Sequence, residues 1–80
     1  MKFYLFDKYL GATNLIPFPA KEVEGMLQSK YFDSNRRYFV PENQCFRTGV
    51  KVIDSLYPIP AINTIEIYKE LLEKGLITND

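Results

Sequence analysis

The chain has 80 residues, 46% of them hydrophobic, and its ten basic and ten acidic side chains cancel. This length predicts one domain, and the zero net charge removes the global attraction that would draw the chain to nucleic acid, an anionic membrane or an acidic substrate. No apolar run approaches the roughly 20 residues of a membrane span, and a single cysteine, Cys45, excludes an internal disulfide. We therefore expect a single domain over 1–80, located in the cytoplasm.

The first predicted element is a strand over 3–6, a continuous apolar run that suits burial on both faces. The segment LIPFPA at 15–20 follows, and LYPIPA at 56–61 repeats its Leu, both prolines and Ala. Proline fixes its own φ and disfavours helix in the preceding residue, so each copy predicts a rigid loop that enters a helix. Phe18 and Ile59 are expected beneath the fold. The copies suggest repeat halves, 1–32 and 37–77, although two independent loops explain the pattern equally well.

Two amphipathic helices are predicted, one after each proline-rich loop. The first covers about 20–31, with an apolar face formed by Val23, Met26, Leu27 and Tyr31. Gly25 within it indicates either a weak helix or, as we expect, close packing by a neighbouring element, since glycine costs roughly 1 kcal/mol relative to alanine inside a helix. The second begins at the N-cap Asn63, with Glu66 as capping-box partner, and ends at Gly75. Its apolar stripe is Ile65, Tyr68, Leu71, Leu72 and Leu76, and its i,i+4 ion pair is Glu70 with Lys74.

Between the helices the sequence predicts a β-hairpin, with strands at 37–40 and 45–53 and a loop at 41–44. Pairing Val40 with Cys45 across the loop divides the hairpin into two faces. The core face carries Phe39, Phe46, Val50 and Val52, and the outer face carries Arg36, Tyr38, Arg47 and Lys51. The predicted fold is a small α+β domain in the order β-α-β-β-α, with an antiparallel hairpin in a three-stranded sheet and two helices on one face.

Catalytic and metal-binding residues are sparse. There is no histidine, the commonest general base and metal ligand, and no glycine-rich phosphate loop. The lone Cys45 is interpreted as a small packing residue rather than a nucleophile. The carboxylates near turns or element ends are assigned to the surface: Asp7, Asp33, Glu42 and Asp54. We predict a protein without enzymatic activity that needs no cofactor and no metal ion.

The outer face of the hairpin is the predicted binding site. It brings together Arg36, Tyr38, Arg47 and Lys51, and tyrosine and arginine are enriched at the hot spots of protein interfaces. We predict an interaction domain, such as an inhibitor, adaptor or immunity-type factor, that contacts a protein partner through these residues. The alternative function is binding of single-stranded nucleic acid by stacking on Tyr38, and an ordinary solvated face is the third interpretation. The marginal core of so small a domain also favours a homodimer, and no membrane association is expected.

Overall fold

Two helices pack on one face of a small antiparallel sheet in the computed structural model, which describes residues 1–12, 16–46, 51–52 and 61–79. Within these residues the sheet is three strands wide, and the predicted small α+β class is confirmed. The elements in chain order are β1 (Lys2–Asp7), β2 (Gly11–Ala12), β3 (Phe18–Pro19), α1 (Ala20–Gln28), β4 (Arg37–Pro41), a 3-10 turn (Glu42–Gln44), β5 (Cys45–Phe46), β6 (Lys51–Val52) and α2 (Ile65–Glu73).

Strand β1 is the centre of the sheet. Along one edge it pairs antiparallel with the whole of β4, and Asp7 lies opposite Arg37 at the end of this pairing. Along the other edge, β3 pairs with the start of β1 and β2 pairs with its end, so two short strands form the third row. Beyond β4, Ile62 exchanges two backbone hydrogen bonds with Phe39. This bridge anchors the chain just before α2.

Both faces of β1 are buried, as the apolar run at 3–6 predicts. The main core lies between the sheet and the helices, and its buried residues are Phe3, Leu5, Ala20, Val23, Phe39, Ile62, Tyr68, Leu71 and Ile77. A second cluster on the opposite face consists of Tyr4, Phe6 and Val40, with Tyr38 and Cys45 packed against it. Neighbouring residues of a strand point to opposite faces, which explains the division. The described part of the sheet therefore has two apolar faces.

The first proline-rich loop enters the sheet and then a helix. Phe18 is half-buried in β3, and its ring meets that of Phe39 edge-on with the centroids 6.1 Å apart. Pro19 is the N-cap residue of α1. The expected positions of Phe18 beneath the fold and of the loop at a helix entry are confirmed. In the second loop, residues 56–60, including Ile59 and the Tyr57–Pro58 bond, lie outside the described residues.

Helix α1 ends at Gln28, before the predicted boundary at about residue 31. The predicted apolar residues within it pack on the core: Val23, Met26 and Leu27. Tyr31 is 85% exposed, so its predicted core position is wrong, because the chain has left the helix before this residue. Phe32 packs against the core instead, with its ring stacked on that of Phe39 at a centroid distance of 5.4 Å.

Helix α2 has its predicted apolar stripe but begins at a different cap. Thr64 is the N-cap residue, and its Oγ1 accepts a hydrogen bond of 3.3 Å from the backbone amide three residues later. The predicted cap at Asn63 with Glu66 as partner is therefore wrong by one residue. The predicted ion pair is present, with 2.8 Å between Lys74 Nζ and Glu70 Oε1. The stripe packs on the core through Ile65, Tyr68, Leu71 and Leu72.

The C-terminal end of α2 is a Schellman motif. Gly75 has a φ of 72°, and its amide donates to the carbonyl of Leu72 at 3.1 Å. The amide of Leu76 donates to the carbonyl of Leu71 at 3.0 Å, which completes the motif. The predicted helix end at Gly75 is confirmed. Leu76 is exposed rather than part of the stripe, and Ile77 takes the buried position.

The predicted pairing of the hairpin is wrong. Val40 lies opposite Tyr4 of β1, and Cys45 lies opposite Val52 in a separate two-stranded sheet of β5 and β6. A 3-10 turn follows β4, so the chain does not fold straight back along that strand. The alternation of side chains in β4 is the same for either partner, and the pattern alone does not choose between them. Phe39 is buried as predicted. The side chains of Phe46, Val50 and Val52 lie outside the described part of the chain.

Gly25 lies in the exposed middle of α1 and is not closely packed. Among the described residues, no atom comes within 4 Å of a β-carbon placed there, so the predicted close contact is wrong. Gly25→Ala is expected to stabilise the protein by about 1 kcal/mol, because alanine favours helix and restricts the unfolded chain.

Gly75→Ala is expected to have the opposite effect, because alanine is strained at a φ of 72°. We expect it to lower the free energy of unfolding by about 1 kcal/mol. Urea denaturation of the two variants measures both shifts. An unchanged or higher stability of Gly75→Ala would contradict the left-handed cap.

Candidate partner-binding surface

A buried carboxylate organises the end of the sheet at which β1 stops. The side chain of Asp7 has no exposed surface, so its predicted place on the surface is wrong. Its Oδ1 accepts hydrogen bonds from the amides of Tyr9 at 2.8 Å and Leu10 at 3.1 Å, which closes the turn between β1 and β2. Its Oδ2 accepts a hydrogen bond from Nε of Arg36 at 2.7 Å. One carboxylate therefore joins the turn at 8–10 to the turn that precedes β4.

The charge of Asp7 is stabilised by these donors. Burial alone would raise the pKa of its carboxyl, but the amides of Tyr9 and Leu10, together with Arg36, lower the pKa below its ordinary value. The hydrogen bond and positive charge of Arg36 act in the same direction. Nε of Arg37 lies 3.7 Å from Oδ2 and forms a second, longer ion pair. The carboxylate is therefore ionised at neutral pH and holds both arginines beside the turn.

Two exposed apolar side chains project from the same turn. Tyr9 is 80% exposed and Leu10 is 71% exposed. The guanidinium carbon of Arg36 lies 5.4 Å from the centroid of the Tyr9 ring, within the range of a cation–π contact. The amide of Lys8 donates to the carbonyl of Arg36 at 2.9 Å, so the backbone also joins the two turns. We name the group Lys8, Tyr9, Leu10, Arg36 and Arg37 the Tyr9–Arg36 surface.

The structure places the sequence-predicted site residues differently. Arg36 is exposed and belongs to the Tyr9–Arg36 surface. Tyr38 lies opposite Phe6, and the two rings stack with their centroids 5.6 Å apart, so Tyr38 is half-buried on the second apolar face. Arg47 lies outside the described residues, and so does the side chain of Lys51. A role in partner binding for these four residues stays a prediction.

The sequence-based interpretation missed Asp7, Lys8, Tyr9, Leu10 and Arg37 as site residues. A local signal exists, because aspartate at the end of a strand favours a turn by accepting hydrogen bonds from amides two and three residues later. Gly11, with a φ of 80°, closes that turn. The contact with Arg36 joins residues 29 positions apart, so no local pattern predicts it.

Cys45 has the properties of a packing residue. It is half-buried against the second apolar cluster, which agrees with the interpretation from sequence. Burial raises the pKa of its thiol to about 11, so the thiol is protonated at neutral pH and is a poor nucleophile. Among the described residues, no three side chains of His, Cys, Asp or Glu converge as metal ligands would.

Comparison with known proteins yields no match for this chain, either to a protein-family model, to a curated protein or to a solved structure. In the part of the chain that the structure describes, neither helix is long and apolar enough to cross a membrane.

Proposed function

We propose that this protein is a small non-enzymatic interaction domain that binds another protein through the Tyr9–Arg36 surface. It would act in the cytoplasm as an inhibitor, adaptor or immunity-type factor, by occupying a surface of its partner. The observation that carries the proposal is the position of Arg36, held between the buried carboxylate of Asp7 and the exposed ring of Tyr9. Tyrosine and arginine are frequent hot-spot residues, and side chains already held in place lose less entropy on binding.

The fixed position of the charged group distinguishes this surface from ordinary exposed side chains, since single exposed apolar residues are common on proteins. Tyr31 provides the comparison within the same chain. It is as exposed as Tyr9, and Lys30 Nζ lies 5.1 Å from the centroid of its ring. Among the described residues, however, no buried carboxylate holds Lys30 as Asp7 holds Arg36. Tyr31 is therefore a matched control for Tyr9.

Capture of a partner from a lysate of the native host tests the proposal. Tyr9→Ser combined with Leu10→Ser is expected to abolish capture, because it removes the exposed apolar pair. The backbone amides that bind Asp7 remain in this variant, so the turn is retained. Tyr31→Ser should capture the same partner as the unsubstituted protein. Equal capture by the double variant and the unsubstituted protein would contradict the proposed surface.

Further variants and treatments in the same capture assay test the residues and the alternative function predicted from sequence. Arg47→Ser combined with Lys51→Ser tests whether the predicted hairpin contacts contribute to capture. Nuclease treatment addresses the alternative function, since a partner lost on digestion would favour single-stranded nucleic acid over protein. At Tyr38 one ring face is covered by Phe6, which leaves less of the ring for base stacking.

We also propose the homodimer that the small core favours. A monomer mass by light scattering at high protein concentration would contradict it.

A further inference from the structure

We infer that the Tyr9–Arg36 surface recognises a protein segment in which carboxylates flank an apolar side chain. This inference rests on the proposed function, because it specifies the chemistry of the partner for the same surface. It follows from three properties of the surface: the sign of its charge, the donors that its arginines leave available and the position of its apolar pair.

The exposed charge of the surface is positive. Lys8, Arg36 and Arg37 are exposed, whereas the carboxylate that contacts the arginines, Asp7, is fully buried. Asp33 lies in the turn that precedes Arg36, and its Oδ1 accepts the amide hydrogen of Asn35 at 3.1 Å. Three cationic side chains therefore accompany two carboxylates, one of which is withdrawn from solvent. A partner that approaches this end of the sheet meets cations first, so anionic groups are favoured there.

Both arginine side chains are about half exposed, and they retain hydrogen-bond donors that no described residue accepts. A guanidinium has five N–H donors, and among the described residues the side chain of Arg36 uses only Nε, toward Asp7. Its terminal amino groups are free of partners within that part of the chain. Arg37 is 3.7 Å from the same carboxylate, which is beyond hydrogen-bond range, so its planar fork is also available. Such forks bind carboxylates with two parallel hydrogen bonds.

The apolar pair adjoins these donors. Tyr9 and Leu10 follow Lys8 directly, and the ring of Tyr9 lies beneath the guanidinium of Arg36. A ligand that carries only negative charge would leave the apolar pair in water, and a purely apolar ligand would leave the remaining N–H donors of the arginines without an acceptor. A segment with an apolar side chain between carboxylates satisfies both requirements at once. The zero net charge of the chain also offers no long-range attraction to a polyanion such as nucleic acid.

Titration of the isotope-labelled protein with synthetic peptides, followed by amide NMR signals, tests this inference. The probe is a ten-residue peptide in which Asp and Glu flank two Leu residues. It is expected to shift the signals of Tyr9, Leu10, Arg36 and Arg37 with a dissociation constant of about 1 mM or tighter. The same peptide with Leu replaced by Ser should bind about tenfold more weakly, because it buries less apolar surface. A peptide with Lys in place of Asp and Glu should produce no shifts at these residues.

Variants assign the binding to the surface. Arg37→Glu and, as a second route should that variant unfold, Lys8→Glu are each expected to weaken binding of the acidic peptide about tenfold. Tyr31→Ser should bind it as the unsubstituted protein does. Absence of shifts at the surface, equal shifts with the Lys peptide, or unchanged affinity in every charge-reversal variant that folds would overturn the inference. Signals that move with protein concentration alone, or tighter binding of a ten-nucleotide oligo(dT), would overturn it in favour of a second copy or nucleic acid.

The inference and the proposed function fail in different ways. Loss of lysate capture in the Tyr9→Ser, Leu10→Ser variant without any peptide binding would retain the surface and reject the acidic, apolar segment. Peptide binding at the surface with unchanged lysate capture by that variant would reject the proposed function for the captured partner.

Discussion

Tyr68→Ala is expected to lower the free energy of unfolding by about 3–5 kcal/mol. The Tyr68 ring is fully buried in the main core, and its centroid lies 6.1 Å from that of Phe3 in β1. Truncation of a buried aromatic side chain destabilises by about 3–5 kcal/mol. A domain of this size has a total stability of roughly 4–12 kcal/mol, so one substitution removes a large share of it. Thermal denaturation followed by circular dichroism would show a greatly lowered midpoint or no transition.

Tyr68→Phe isolates the contribution of the hydroxyl group. The hydroxyl donates to the carbonyl of Ala20 at 3.1 Å, and this bond joins α2 to the first residue of α1. Its removal is expected to destabilise by about 1 kcal/mol, because the ring remains and one buried hydrogen bond is lost. Equal stability of Tyr68→Phe and the unsubstituted protein would show that the hydroxyl adds nothing. A native-like midpoint for Tyr68→Ala would contradict its place in the core.

The unsubstituted protein and Tyr68→Phe should differ in how their stability depends on alkaline pH. Burial, and then the negative charge of Glu24, raise the pKa of Tyr68 above its ordinary value of 10.0. The folded state therefore favours the neutral hydroxyl. Its contribution is complete below pH 10 and is lost as the pH rises through the raised pKa. Tyr68→Phe has no group to ionise there, so its stability should fall less steeply with alkaline pH.

The elements predicted well from sequence are those specified by local pattern. Four consecutive apolar residues at 3–6 are sufficient to predict a strand buried on both faces, and β1 has that environment. The apolar stripe of α2 and its end at Gly75 follow from periodicity and from glycine's access to a positive φ. Proline fixes the approach to α1 in the same way. In each case the physical cause lies within a few residues of the effect.

Strand pairing was less predictable, because it depends on partners that are distant in the chain. The sequence suggested a local hairpin, whereas β4 pairs with β1. These two strands are separated in the chain by β2, β3 and α1. The two arrangements bury the same side of β4, and Phe39 is in the core in both, so the apolar pattern is equally consistent with each. The consequence for function is direct: β4 brings Arg36 and Arg37 to the end of β1, beside Tyr9.

Of the residues in the Tyr9–Arg36 surface, only Arg36 was predicted from sequence. The reason is again that the surface depends on contacts between distant parts of the chain. A lone aspartate near a turn is usually solvated, and the burial of Asp7 becomes favourable only when two amides and a guanidinium supply hydrogen bonds. The amides are local, but the guanidinium arrives with β4. Identifying Asp7 and Tyr9 as parts of one surface therefore required the β1–β4 pairing.

Asp7→Ala is expected to destabilise the protein by more than Gly75→Ala does. It removes the acceptor of two backbone amides and of Arg36 Nε, and these donors are left near a buried position without their partner. The turn at 8–10 and the position of Arg36 both depend on this carboxylate. We therefore expect large changes in the amide signals of Tyr9 and Leu10, together with loss of partner capture. Unchanged signals at these two amides would contradict the role assigned to Asp7.

Asp7→Asn tests the charge separately from the shape. The lowered pKa of Asp7 means that its stabilising contribution is present above the ordinary value of 3.8 and is lost as the pH falls through the lowered value. The free energy of unfolding of the unsubstituted protein should therefore decrease as the pH falls below 3.8, and Asp7→Asn should lack that part of the decrease. Asp33→Asn, which removes an exposed carboxylate that also accepts a backbone amide, is the matched control. If Asp7→Asn retained the full acid-dependent decrease and Asp33→Asn lost it, the stabilising charge would belong to Asp33, and the Tyr9–Arg36 surface would not depend on an ionised Asp7.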